Sequence, residues 1–241
     1  MLLSLACLGA IQLILGVVGR AEKGKDKTRN SLHWQRRLQH ASSLVFLAEL
    51  PSWVLFVIAT CLFSCAWLRR VSVSFNSIFV RSLDGILREH EKRKPVAPSA
   101  AYSVLAAAVL RTLSLHNDVC VALLHAALAD PLAAIVGSSL QSQKLRWPLC
   151  ARKSVAGLLA CVAVCTAVNA ACFVWLPVQT GSFVDAVRGL SSTWRVSIGL
   201  LGAGVLCGLT EALDIFVLFD DNLLLPLLSA LILRVLAFVL N

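Results

Sequence analysis

Residues 210–233 read TEALDIFVLFDDNLLLPLLSALIL. The stretch is almost wholly apolar, yet it carries Glu211, Asp214, Asp220 and Asp221, four of the chain's thirteen acidic residues. A bilayer does not solvate carboxylates, so acids in or beside one are costly and ordinarily have a partner or a task. The apolar runs on either side are long enough to be helices. The reading is two membrane-spanning helices, 196–219 and 222–240, joined by a polar turn at Asp220–Asn222.

Composition extends this to the whole chain. It has 241 residues, 58% of them hydrophobic and 15% charged, with a mean hydropathy of +0.80. Soluble domains run near half apolar and a quarter charged, so an integral membrane protein is expected. The net charge is +9 and the bases are clustered, which suits anionic lipid surfaces and phosphate-bearing ligands. No aromatic–basic stretch of the kind that binds nucleic acid is present, and that class is set aside. The nine cysteines lie mostly within apolar runs, at spacings that fit no zinc site and imply no disulfide framework. They read as small hydrophobes inside helices.

Residues 2–19 are a first apolar stretch, followed by Arg20 and Lys23 with no base before it. That polarity fits an uncleaved anchor with its C-terminal end in the cytosol. Basic segments at 20–40, 69–98 and 139–153 alternate with apolar ones at 41–68, 99–115, 118–138 and 154–175. If the first two basic loops share the cytosolic side, 41–68 must cross twice or dip and return. It is shorter than the ~40 residues two crossings need, so a hinge at Pro51 between two short helices is expected. The positive-inside rule places 139–153 in the cytosol and 176–194 on the far side, and returns the Asp220–Asn222 turn to the cytosolic face. The expected fold is all-α and polytopic, with about seven transmembrane helices. The expected division is an anchor helix and basic loop at 1–35 and a membrane-embedded domain at 36–241. There is no separate soluble domain, solenoid repeat or low-complexity tract.

Four features carry chemistry. The first is Arg36, Arg37 and His40 at the mouth of a span, which on charge alone read first as a stop-transfer cluster with a snorkelling histidine. The second is Asp130 within ALADPLAAIVG, with Ala133, Ala134 and Gly137 following at helical spacing. An intramembrane aspartate is a functional candidate, small residues let a neighbour approach, and Arg111 on the preceding helix is an alternative structural partner. The third is Arg152, Lys153, Ser154 and Gly157 at a helix start. Free backbone N–H groups, a partial positive charge and two cations there suit a phosphate; the plainer reading is a serine N-cap. The fourth is the opening stretch, with Glu211 and Asp214 on one helix face and Asp220, Asp221 and Asn222 at the turn. Adjacent carboxylates repel and favour a hard cation such as Mg²⁺, which brings phosphates with it. Together these suit phosphoryl or nucleotidyl transfer from a soluble nucleotide to a lipid hydroxyl. No P-loop and no protein-kinase motif is present.

These residues resemble the CTP-dependent lipid kinases of the endoplasmic reticulum, the yeast-type diacylglycerol kinases, whose relatives are the phytol, farnesol and dolichol kinases. The family's Arg-Lys-x-x-His resembles Arg36, Arg37 and His40, with Arg37 in place of lysine. Its Phe-Asn pair resembles Phe75 and Asn76. Its Asp-x-x-Ala-x-x-x-Gly matches Asp130, Ala133 and Gly137, and its Lys-Ser-x-x-Gly matches Lys153, Ser154 and Gly157. Its Glu-Ala-x-Asp…Asp-Asp-Asn…Pro matches Glu211, Ala212, Asp214, Asp220, Asp221, Asn222 and Pro226. The order is kept from about residue 36 onward, and the last motif looks closest to the diacylglycerol kinase branch. Ser138 and Ser139 follow Gly137 where the family usually has a basic residue and a second glycine, and 41–68 is short against the family's two spans.

The resemblance implies transfer of the γ-phosphate of CTP to diacylglycerol, giving phosphatidate in the endoplasmic reticulum membrane, with no obligate protein partner. It implies Mg²⁺ held by Asp220 and Asp221 with Glu211, and phosphates held by Lys153 and the Ser154 helix start, with Gly157 and Gly137 as further phosphate-binding positions. Arg36 and Arg37 would offset charge on the transferring group, and Asp130 would orient or deprotonate the lipid hydroxyl. Alternatives that remain beside this resemblance are a polyprenol, phytol or dolichol kinase, a CDP-diacylglycerol-type cytidylyltransferase and a non-catalytic membrane scaffold. A transporter fits less well, because the charges gather at one face rather than at the midplane.

Overall fold

The computed structural model describes residues 47–83, 87, 89–113, 116–140, 154–212 and 221–241. Among these the protein is all helical and contains no strand. The helices are α1 (Ser52–Val71), α2 (Val73–Leu83), α3 (Glu89–Arg93), α4 (Ser99–Leu113), α5 (His116–Ser139), α6 (Val155–Trp175), α7 (Phe183–Arg188), α8 (Thr193–Ala212) and α9 (Asp221–Leu240). Five are long and apolar enough to cross a membrane: α1, α5, α6, α8 and α9. The expected first span, 2–19, and the expected boundary at 35/36 lie outside the described residues. The expected span at 99–115 is the 15-residue α4, which rises only about 22 Å against the ~30 Å of a hydrocarbon core.

The chain divides into two compact units between Ala108 and Val109, within α4. In the first unit, Pro51 does break the chain: it sits at the N-cap of α1 with an extended backbone. The helix after it, however, is a single 20-residue span and not the short one expected. Exposed Trp53 and Trp67 stand near its two ends, where amphipathic rings settle at membrane–water boundaries. The segment 69–98 is also more ordered than the basic loop expected. Arg69 and Arg70 close the last turn of α1. The Arg69 side chain turns inward, donating from Nε to Asn76 Oδ1 at 2.8 Å, from Nη1 to Val96 O at 3.2 Å and from Nη2 to Glu91 O at 2.6 Å. Its guanidinium also lies 4.8 Å from the centre of the Phe79 ring. One buried arginine thus ties α2, α3 and the run before α4 to the end of α1. Glu91 Oε1 accepts from the Ser99 backbone N–H at 2.7 Å and starts α4.

The second unit is an antiparallel bundle of α5, α6, α8 and α9, with short α7 closing one end. Register follows from paired contacts. Between α5 and α6, His125 meets Asn169 at 3.0 Å, and a Cβ on Gly137 would fall on Ser154 Oγ. Between α6 and α8, Asn169 Nδ2 donates to Leu200 O at 3.2 Å, while Gly204 faces Thr166 and Gly208 faces Val162. Numbers fall on one helix as they rise on the other, so the helices run antiparallel. Between α5 and α9, Asp118 Oδ2 lies 3.7 Å from Arg234 Nη1.

The end of the bundle made by the start of α5 and the end of α9 is heavily hydrogen-bonded. Asp118 is fully buried, and its Oδ1 accepts from the Phe183 backbone N–H at 2.9 Å. Asn117 binds Pro177 O and the Gln179 side chain, and Arg188 donates to Phe173 O and Leu176 O. Buried Phe183, Val184 and Val187 of α7 plug this end. So the segment expected as a loop at 176–194 contains a helix and a fixed polar network. Exposed Trp175 and Trp194 flank it, again marking a boundary. The core includes Cys161, Cys165, Cys172 and Cys207, all buried and free. They act as the small hydrophobes expected, and no disulfide occurs among the described residues.

The His125–Asn169–Leu200 chain crosses three helices deep in the bundle, with both side chains fully buried. Interhelical side-chain hydrogen bonds in membranes average well under the cost of an unpaired group, near 0.6 kcal/mol with a maximum near 1.7. Asn169→Ala should therefore lower stability by about 1 kcal/mol, measured as a shift in the denaturing-detergent midpoint of the purified protein. A shift no larger than that of an exposed α6 substitution would show the chain to be incidental.

Candidate functional site

Three sequence features converge at the opposite end of the second unit. α5 carries Asp130, Ala133 and Gly137 along its C-terminal half, and α6 starts at Ser154–Gly157. Ser154 has an extended backbone, and its hydroxyl accepts from the Gly157 N–H at 3.1 Å, capping α6. A Cβ on Gly157 would stand 3.0 Å from Ala133 O and 3.0 Å from Ser154 Oγ. A Cβ on Gly137 would fall on Ser154 Oγ and lie 3.5 Å from Gly157 Cα. A Cβ at either glycine would crowd Ser154 Oγ, and at Gly157 also Ala133 O, so the start of α6 lies close against α5. The serine N-cap holds, and it leaves the hydroxyl proton available to donate.

Asp130 is half-buried on α5, and no described residue hydrogen-bonds or ion-pairs with it. Arg111 is not the structural partner considered for it. Arg111 Nη1 meets His116 Nδ1 at 2.6 Å, and His116 lies 14 residues before Asp130, about 21 Å along the helix. The start of α9 stands level with Asp130. Asp118 and Arg234 meet, and twelve residues further along each antiparallel helix, about 18 Å, come Asp130 and Asn222. Asn222 is buried in the first turn of α9, and Asp221 opens that helix, so both belong to a helix start rather than to the turn expected. Glu211 falls in the last turn of α8. By the same arithmetic, Ser154 stands about 10 Å nearer the rim than Asp130. The site is stepped: a phosphate-suited helix start at the rim, and a carboxylate one to two turns deeper, level with the entry to α9.

Two prolines occupy the deeper step. Pro131 follows Asp130 within α5, and Pro226 lies within α9. Each removes one backbone rung, since proline has no N–H to donate. In the antiparallel register the two missing rungs fall at the same height as Asp130. Proline-interrupted helices at matching heights are a recurrent setting for membrane binding sites.

The remaining candidates divide as follows. Asn76 is positioned in the first unit, where it accepts from Arg69; its observed work is to hold α2 against α1. Arg36, Arg37, His40, Arg152, Lys153, Asp214 and Asp220 lie outside the described residues. The sequence reading missed the Gly204 and Gly208 contacts of α8, although their four-residue spacing in GVLCG is the small-residue pattern of close helix crossings. It also missed Asn169, whose signal was a lone amide in a wholly apolar helix.

Comparisons with protein families, with curated proteins and with solved structures find no match to this chain.

Proposed function

We propose that the chain is a membrane-embedded lipid kinase that transfers the γ-phosphate of CTP to diacylglycerol. The observation that carries the reading is the meeting of Gly137, Ser154 and Gly157. It sets the helix of Asp130 and the start of α6 side by side at one end of the bundle, with the entry to α9 level with the aspartate. These are three of the motifs on which the resemblance rests, and they are far apart in sequence. The donor set suits Mg²⁺: Glu211, Asp220 and Asp221 would offer hard oxygen ligands, with Glu211 in the last turn of α8 and Asp221 opening α9. When bound, the ion would neutralise charge on the β- and γ-phosphates.

The chain's own residues then have distinct tasks. The α6 start, with Lys153 and the Ser154 hydroxyl, binds phosphate oxygens at the rim. Asp130 accepts the proton of the acceptor hydroxyl or fixes its direction, from a depth that a diacylglycerol reaches without leaving the bilayer. Arg36 and Arg37 offset charge on the group in flight. Catalysis is mainly positioning and charge stabilisation. The family's endoplasmic reticulum residence belongs to the same proposal.

The test uses the purified chain in detergent micelles with Mg²⁺, γ-³²P-CTP or γ-³²P-ATP, and diacylglycerol, farnesol or dolichol. Labelled phosphatidate from CTP is the expected product. Label in a polyprenol would move the chain to a sister activity, and no labelled lipid from folded protein would reject the kinase reading.

A further inference from the structure

We propose that Arg70, Arg81, Arg93 and Lys94 of the first unit form a docking platform for the headgroups of anionic phospholipids. The inference is independent of the catalytic reading. Only Ser72 separates the end of the α1 span from the start of α2, and exposed Trp67 sits one turn before that end. α2 therefore begins at headgroup height. Between residues 69 and 94 the sequence has seven bases and three acids. Of these bases, Arg69 is consumed internally. Arg70, Arg81, Arg93 and Lys94 are exposed, and none is ion-paired with a described residue. Arg70 spends one donor on Pro95 O. Glu91, by contrast, is turned inward with 2% exposure.

The bases are also held in place. The three hydrogen bonds of Arg69 fix α2, α3 and Val96 against the end of α1, so the charges are displayed on an ordered surface. On α2 stand two largely exposed apolar side chains, Val73 at 84% and Ile78 at 64% exposure. A soluble phosphate or nucleotide has no use for these. A membrane surface has: it takes the apolar groups at the headgroup–acyl boundary and the cations among the headgroups. Several cations immediately beyond a span are the usual form of a surface that reads anionic lipid.

The test is amide hydrogen exchange of the full chain in nanodiscs of phosphatidylcholine alone, or with about 20 mol % phosphatidylserine, where each basic residue near the surface is worth about a fivefold factor. Exchange over 73–83 should slow about tenfold or more in the anionic discs, and the difference should vanish in about 0.5 M salt. R70Q/R81Q/R93Q/K94Q should remove it, with α1 amides equally protected in both discs as the measure of folding. If that variant loses α1 protection, R93Q/K94Q, which touches neither α1 nor α2, should still cut the difference by more than half. Equal exchange over 73–83 in the two discs overturns the proposal, as does a difference that survives both salt and charge removal. Slowing by poly-glutamate in neutral discs, with none from phosphatidylserine, would assign the surface to an acidic protein and also overturn it.

Discussion

Gly204→Val should cost the second unit about 1–3 kcal/mol or more, the range for forcing volume into a close-packed interface, while Gly202→Ala, two residues away, should be neutral or stabilising. The difference is geometric. A Cβ on Gly204 falls on the Thr166 side chain and comes within 2.8 Å of the Thr166 backbone nitrogen and 2.9 Å of its Cα. A side chain can rotate aside, but the backbone of α6 cannot. The same holds one turn on, where a Cβ on Gly208 would stand 2.9 Å from Val162 Cα. Either substitution must push α6 and α8 apart and unseat Asn169 from Leu200 O. Gly202 has nothing within 4 Å, so alanine there only removes the conformational entropy that glycine brings to a helix interior, worth about 0.5–1 kcal/mol. The measurement is the denaturing-detergent midpoint of the three purified proteins. Equal midpoints for the Gly204 and Gly202 variants would mean that α6 and α8 do not cross where described.

The reach of the sequence can be judged from the same helices. The all-helical, membrane-spanning class was legible because it rests on totals and on runs: long stretches with few polar residues mark α6 and α9. The pairing of Gly137 with Ser154 and Gly157 was legible only as a resemblance, because nothing in either motif by itself names the other as its neighbour. The segment 69–98 was misjudged for a physical reason. Charge density reads as a solvated loop, and charge alone does not reveal that one of its arginines is buried and collects backbone carbonyls. The seam of α6 and α8 escaped for the opposite reason: glycines in an apolar run carry no hydropathy signal, and only their spacing marks the contact. Where a helix faces lipid on one side and protein on the other, both faces are apolar, and the periodicity that identifies buried faces in soluble proteins is weak.

The sharpest expected contrast is between two aspartates on one helix. Asp118 and Asp130 both lie on α5, twelve residues apart, and in sequence both are acids in an apolar span. Asp118 is spoken for: it is fully buried, accepts from Phe183 N–H and faces Arg234. Asp118→Ala leaves the buried Phe183 N–H without its acceptor, while Arg234 keeps Gly181 O, so it should cost about 1–3 kcal/mol while the phosphorylation rate per folded molecule stays near the parent's. Asp130 is half-buried and bonded to no described residue, so Asp130→Asn should change stability by no more than about 0.5 kcal/mol. If it orients or deprotonates the lipid hydroxyl, the same change should lower kcat for CTP-dependent phosphorylation about 10²-fold or more, the usual scale for losing one group that acts on the transition state. Unfolding midpoint and kcat, read on both variants, separate the roles. A stable but inactive Asp130 variant beside a weakened but active Asp118 variant would tie the chemistry to the deeper step of the site. A destabilised Asp130 variant with full activity per folded molecule would make that carboxylate structural, and the phosphate-suited start of α6 would then need another group to present the acceptor to it.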